Sequence, residues 1–223
     1  MLNDFVDFHF EIKKIWKELN LSNLIIPFCT PMKPRPKFLV IGLNHSDFAP
    51  KNRAESNRIA MEFSTAMPKE NTYISHQHPF AEGLRKIITK VHNEYKDFDY
   101  KPTKEWVGTN KIALQSNSES LKKIIMKHER YKDCEEKMNE LLISLIKFMK
   151  PKNVLLAGID ATYIFPFYKD RKLKDMEYRK FELDDGSNET TNLIPLHHFS
   201  WSTHYELAAD RLKEAIGYGY CDY

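Results

Sequence analysis

At 223 residues the chain has the length of one α/β domain and enough sequence to bury a sizeable core. A hydrophobic fraction of 42% beside 29% charged residues excludes an extended disordered chain, and a net charge of +3 permits a phosphate-rich partner without requiring one. No apolar run reaches membrane-spanning length and the start of the chain lacks a basic-then-apolar leader pattern, so a cytoplasmic protein with no membrane partner is expected.

In chain order, Phe5, Phe8, Ile12, Ile15, Trp16 and Leu19 fall at helical spacing, which predicts a packing helix over about residues 3–20 with Asn3 as its cap. Pro27, Pro31, Pro34 and Pro36 then make an extended connector. Phe38-Leu39-Val40-Ile41 is a continuous apolar run, as expected of a strand covered on both faces. Gly42 is expected to turn the chain there, delivering Asn44, His45 and Ser46 to the carboxyl end of the strand, where open α/β sheets hold their ligands. An ordinary strand-to-loop turn would use the same residue types. Residues 47–70 carry mixed charges and few aliphatics, which predicts a long loop with a short helix over 54–64.

His76-Gln77-His78-Pro79-Phe80 stands at the mouth of an amphipathic helix marked by Leu84, Ile87, Ile88 and Val91. We exclude a metal site at the two histidines, because no third ligand follows at a recognisable spacing. Trp106 to Leu114 reads as a second strand with open limits. A strand beginning only at Thr109 would leave Asn110 at the wrong end for a site. Residues 133–149 form a core-facing helix stopped at Lys150-Pro151, and Asn153 to Gly158 is a third buried strand followed by a helix near Asp160. Residues 171–192 hold a short hairpin or a loop. Asn192 to Leu196 is the last strand, ending in the loop His197-His198-Phe199-Ser200-Trp201-Ser202-Thr203-His204 before a final helix carrying Leu207, Ala208, Leu212 and Ile216. Four strands alternating with helices predict a three-layer αβα sandwich around a central, mainly parallel four-stranded sheet, in one domain over 1–223.

The order of these segments resembles the uracil-DNA glycosylase superfamily. Gly42-Leu43-Asn44-His45-Ser46 is similar to its first motif, commonly Gly-x-Asn-Pro-Gly, and His198-Phe199-Ser200-Trp201 stands where members have His-Pro-Ser followed by a wedge. Thr109-Asn110 resembles the segment that reads the flipped base, His78-Pro79-Phe80 the part that supplies a stacking Phe, and Cys134 through Gly158 the long helix, Lys-Pro and strand ending in Gly. Two departures stand out: no Pro follows Asn44, and Phe199 replaces the Pro of the last motif.

The resemblance implies a glycosylase that hydrolyses the bond between sugar and base in single- or double-stranded DNA. Asn44 and His198 are the implied catalytic residues, one positioning water and the other stabilising the leaving base. Asn110, Phe80, Gly42, Phe48, Ser200 and Trp201 are the implied substrate contacts, although Phe80 and Trp201 fit a plain core equally well. With Asn rather than Asp at 44, water would be held without a charged base, and exchange for Asp is expected to keep activity. Lys51, Arg53 and Arg58 are candidate phosphate contacts. In iron-sulfur members the Cys before the long helix ligates the cluster, but Cys134 lacks companions, Cys29 and Cys221 being remote, so no metal or other cofactor is expected, and the protein is read as a monomer. The alternative is a superfamily member that binds nucleic acid or a nucleotide without cutting it. An unrelated nucleotide-binding enzyme is disfavoured by the lack of a Gly-rich phosphate loop.

Overall fold

The computed structural model describes residues 4–44, 58, 61–116, 120–183, 188–199 and 202–223. Helix α1 (Phe5–Lys17) opens at Asp4, whose carboxylate accepts from the N–H groups of Val6 at 2.8 Å and Asp7 at 2.9 Å, a cap that contributes about 1 kcal/mol. Asn3, expected in that role, lies outside the described residues. Strand β1 (Phe38–Asn44) follows the proline-rich connector, and helical residues reappear at 58 and 61–65, inside the span expected to be helical. Next come α2 (Thr72–Ser75), α3 (Pro79–Glu94), β2 (Trp106–Ile112), a π-helical turn (Leu121–Ile125) and α4 (Tyr131–Met149). The chain finishes with β3 (Asn153–Ala157), α5 (Ile159–Thr162), β4 (Arg179–Glu182), β5 (Thr190–Leu196) and α6 (Ser202–Gly217).

The sheet has the order β2-β1-β3-β5-β4. Its first four strands are parallel, and β4 pairs antiparallel with β5. The expected count of four strands therefore becomes five, because the undecided stretch before the last strand is a hairpin. Its Arg-Lys-Phe-Glu sequence hides a strand, since the inward face carries only one apolar residue, Phe181, edge-on to Phe165 at 5.2 Å, beside Arg179 over the Phe167 ring at 4.9 Å. Along β1 the alternation divides one apolar run between two cores. Leu39 and Ile41 join α1 and α4 on one face, while Phe38 and Val40 join α3 and α6 on the other.

On the first face, buried Lys111 of β2 pairs with Glu135 of α4 at 2.7 Å, and the Tyr131 hydroxyl donates to the same carboxylate at 3.1 Å. Helix α4 ends at Lys150 in the left-handed region (φ 52°), directly before Pro151. The connector is built into the sheet. Residues 25–30 lie along the outer edge of β2, with the Ile26 N–H donating to the Ala113 carbonyl at 2.6 Å and the Cys29 N–H to the Gly108 carbonyl at 3.0 Å. The Thr109 hydroxyl donates to the Pro27 carbonyl at 2.8 Å, and the Thr30 hydroxyl accepts from the Gly108 N–H at 2.8 Å. An edge strand that would otherwise offer unpaired backbone is thereby covered.

At the amino ends of the strands, Asn153 joins three chain segments. Its Nδ2 donates to the Lys37 carbonyl at 3.1 Å and the Asp222 carbonyl at 2.6 Å, and its Oδ1 accepts from Asn192 Nδ2 at 3.1 Å and the Asp222 N–H at 3.0 Å. Removing this amide takes a partner from the buried Asn192 amide and from part-buried backbone groups of Lys37 and Asp222. Asn153→Ala is therefore expected to lower unfolding free energy by about 3 kcal/mol, seen in urea titration as an earlier midpoint at unchanged slope.

Candidate functional site

Parallel strands in register set their residues side by side, and Gly42 of β1 stands beside Asn110 of β2. A Cβ on residue 42 would come within 2.6 Å of Asn110 Oδ1 and 3.6 Å of the Phe80 ring. Gly42 does not turn the chain, as the sequence suggested; β1 runs through it to Asn44, which still pairs with Ile112 of β2. Its value is the room its missing side chain leaves for the Asn110 amide oxygen. Because β2 begins at Trp106 and not at Thr109, Asn110 falls in the carboxyl-terminal half of its strand, on the correct side for a site. Its Nδ2 donates to the Cys29 sulfur at 3.1 Å, and the side chain is buried.

Phe80 reaches this place from the first turn of α3. Pro79 opens the helix, and His78 caps it by accepting the Ala81 N–H on Nδ1 at 3.2 Å. Arg85 then ties α2 to α3 by donating to the carbonyls of Tyr73 at 2.9 Å and His76 at 2.9 Å. One side of the Phe80 ring packs on Phe199 (centroids 4.8 Å), and the His198 ring meets it edge-on at 5.6 Å. Phe80 is thus half-buried, packed into the second core from the first turn of α3.

The last motif is seated by two glycines. At Gly83 of α3 a Cβ would fall 1.8 Å from the Phe199 carbonyl oxygen, so the backbone of the loop rests directly on the helix. Phe199 itself is fully buried. Where the resemblance has Pro, this chain anchors the loop with an aromatic side chain instead. Gly158, at φ +97°, donates its N–H to the Leu196 carbonyl at 2.8 Å and lies beneath His198, whose ring carbon would sit 3.4 Å from a Cβ there.

Asn44 lies two residues beyond Gly42, and its Nδ2 donates to the Ser116 carbonyl at 2.9 Å and the Ser116 hydroxyl at 3.0 Å. An amide held by its nitrogen turns its oxygen the other way. With Asp at 44, a carboxylate oxygen would face the Ser116 carbonyl in place of the donor that now binds it.

Gly42, Asn44, Phe80, Asn110 and His198 are accordingly placed at the carboxyl ends of β1, β2 and β5, whereas Phe48, Ser200 and Trp201 lie outside the described residues, as do Lys51 and Arg53. Arg58 is exposed and pairs with Glu62 at 3.5 Å. Cys29, Tyr73, Gly83, Ser116 and Gly158 support the site without having been assigned there from sequence. Only Gly158, closing an apolar strand, carried a local signal; the others act through contacts made by distant segments. Among the described residues, no three His, Cys, Asp or Glu side chains are grouped to hold a metal ion, and no helix is long and apolar enough to cross a membrane.

Burial, and secondarily the neighbouring His204, lowers the His198 imidazole from its ordinary range to about 4. His197 is lowered for the same leading reason, with its ring 5.7 Å from that of His204. The His198 ring is therefore neutral near pH 7, able to donate one N–H without carrying charge. In an NMR titration it is expected to stay neutral until the pH approaches about 4. Between pH 6.5 and 4 the unfolded chain binds a proton that the folded chain refuses, so stability falls as the pH drops through that window and levels off below it. The contribution is at most about 3 kcal/mol, and His198→Leu removes that part of the slope.

Comparison with protein-family models finds none that matches the chain, and none of the curated proteins compared with it matches either.

Proposed function

We propose that the protein is a DNA glycosylase that hydrolyses the N-glycosidic bond of uracil or another modified base flipped out of DNA. The observation that carries this reading is the group formed by Phe80, Asn110 and His198. A half-buried aromatic ring has on one side a buried amide, whose oxygen fills the space over Gly42, and a neutral imidazole set edge-on to it at 5.6 Å. These are the three contacts an extruded base needs: a π-face, a partner for its pairing edge, and a donor for its carbonyl oxygen.

The chemistry follows from the protonation state. As the bond to the sugar breaks, negative charge gathers on the departing base, and a preorganised N–H from His198 stabilises it. A neutral donor avoids a full proton transfer, and the cationic sugar is met by water oriented on the Asn44 amide, not by a charged base. The resemblance assigns Trp201 the gap left in the stack. Between helices α3 and α6, Lys86 and Lys90 stand 5.1 and 6.0 Å from the Tyr205 ring centroid along a groove of about 470 Å³ that Glu82 also lines; Lys90 is paired with Glu206, and Lys86 beside the ring is the cation that suits a nucleic-acid strand.

The test is single-turnover base release from a panel of oligonucleotides carrying different modified bases, read by cleavage at abasic sites. His198→Ala is expected to lower the rate by about a hundredfold to a thousandfold with DNA affinity nearly unchanged. Asn44→Asp is expected to lose at least about tenfold, because the carboxylate cannot keep the bond to the Ser116 carbonyl. An unaltered rate in His198→Ala removes this mechanism, and a panel from which no base is released, with oligonucleotides still bound, turns the reading to a binding module.

Salt titration gives a separate check. Lys86→Ala is expected to weaken DNA binding alike for all sequences and to lower the slope of log affinity against log salt by about one.

A further inference from the structure

Two short segments carry the whole basic excess of the chain, and the fold sets both at the carboxyl end of the sheet. Residues 120–132 hold five Lys and Arg against one Glu, and residues 169–175 hold four against two Asp, a combined charge of +6. The chain as a whole is +3, so everything outside these segments sums to −3. A basic balance spread evenly says little about a partner, whereas one gathered into two loops makes a local field.

Each segment is pinned from beneath so that its cations face outward. In the first, the Met126 N–H donates to the Leu121 carbonyl, five residues back, at 2.9 Å. This π-helical turn buries Leu121 and Ile125 in the core beside α1 and α4 and leaves Lys122 and Lys123 exposed, as are Lys127 and Lys132. In the second, buried Tyr168 donates its hydroxyl to the Glu177 carbonyl at 2.7 Å and closes the loop that exposes Lys169, Arg171 and Lys172. Glu18 takes Arg130 together with Lys137, but among the described residues no carboxylate pairs with Lys122, Lys127, Lys132, Lys169, Arg171 or Lys172.

The topology brings both segments to the same end of the sheet. Strand β2 delivers the chain to the carboxyl side at Ile112, and α4 returns from there to meet the start of β3. Strand β4 runs antiparallel to β5, so the loop before Arg179 also enters from the carboxyl side. Since β2 and β4 are the two edges of the sheet, the segments stand on either side of the candidate site, and the edges lie four strand spacings, about 19 Å, apart. That distance is the rise of about six nucleotides along one strand of a duplex. We propose that residues 120–132 and 169–175 form a phosphate track for DNA, one segment holding the backbone on each side of the flipped nucleotide. This rests on the reading of the site as one for a base in DNA. An unpaired cation gives up no ion pair on meeting a phosphate, and each contact releases condensed counterions.

The experiment reverses charge in pairs at exposed positions: Lys122→Glu with Lys127→Glu, and Lys169→Glu with Lys172→Glu. Lys96→Glu with Lys104→Glu, exposed at the amino ends of the strands, is the control with the same change of net charge. Affinity for a duplex of about twelve base pairs with one central uracil, twice the span between the segments, is titrated against salt. Each of the first two pairs is expected to weaken binding at least about tenfold at low salt and to lower the slope of log affinity against log salt by about two, with the control within about twofold of wild type. Base release at saturating duplex stays within about twofold of wild type, because neither segment touches the base. Should a reversal unfold the protein, the corresponding pair of Ala substitutions is read by the same loss of slope. Reversals that bind the duplex no worse than the control overturn the track while the base pocket stands. Reversals that weaken binding, in a protein that releases no base from any oligonucleotide, uphold the track while the cleavage reading falls. Wild-type protein that binds vesicles of phosphatidylcholine and phosphatidylserine through these lysines, and no duplex, overturns it in favour of a membrane surface.

Discussion

Asn110 Oδ1 occupies space that any side chain at residue 42 would need, 2.6 Å from where such a Cβ would sit, and the packing at the carboxyl ends of β1 and β2 takes its form from that close approach. A β1 residue larger than Gly would push the amide outward against Cys29 or lift the Phe80 ring off its seat. Either movement breaks a chain of contacts running from Cys29 through Asn110 and Phe80 to His198 and Phe199. Parallel pairing makes the arrangement possible, because register alone brings residue 42 beside residue 110 on one face. Interiors packed to this density respond to one added methyl by shifting several neighbours at once.

Legibility in the sequence followed distance along the chain. The apolar runs of β1, β3 and β5 announce themselves, as do the helices whose buried faces repeat every three to four residues, because burial acts on each residue's immediate neighbours. Strand β4 did not, since its charges mark the exposed edge of a sheet and read equally well as a loop. Gly42 was read for its backbone freedom, the commoner use of glycine, whereas its role depends on a side chain 68 positions later in the chain, a fact of tertiary structure that no local pattern carries. Asn44, Asn110, Phe80 and His198 could be picked out only through an ordered set of short motifs. What those motifs could not supply was the supporting layer: Ser116 holding the Asn44 amide, Gly83 admitting the Phe199 backbone, and Cys29 meeting Asn110.

Phe199 shows how a loop can be fixed by packing where a proline would fix it by its backbone. A proline fixes a loop by restricting its backbone; here a buried ring fixes it by packing, with the missing side chain of Gly83 letting the Phe199 carbonyl approach α3. The two glycines, at 83 and 158, bracket the loop from different layers of the fold. His198 is consequently positioned by sterics from below and by an aromatic edge from the side, which leaves its environment dry enough to keep the ring neutral.

The polar knot of Asn153, Asn192 and Asp222 sits at the foot of the sheet, while the candidate site lies at its head, separated by the length of a strand, roughly 16 Å for five residues. Changes at two such places share no partner and combine by simple addition of their free energies. The polar knot is therefore a source of rigidity remote from the candidate site. Losses incurred by remodelling the cleft can be offset at the foot without disturbing the geometry of the site, which lets the head of the sheet vary while the frame that carries it stays folded.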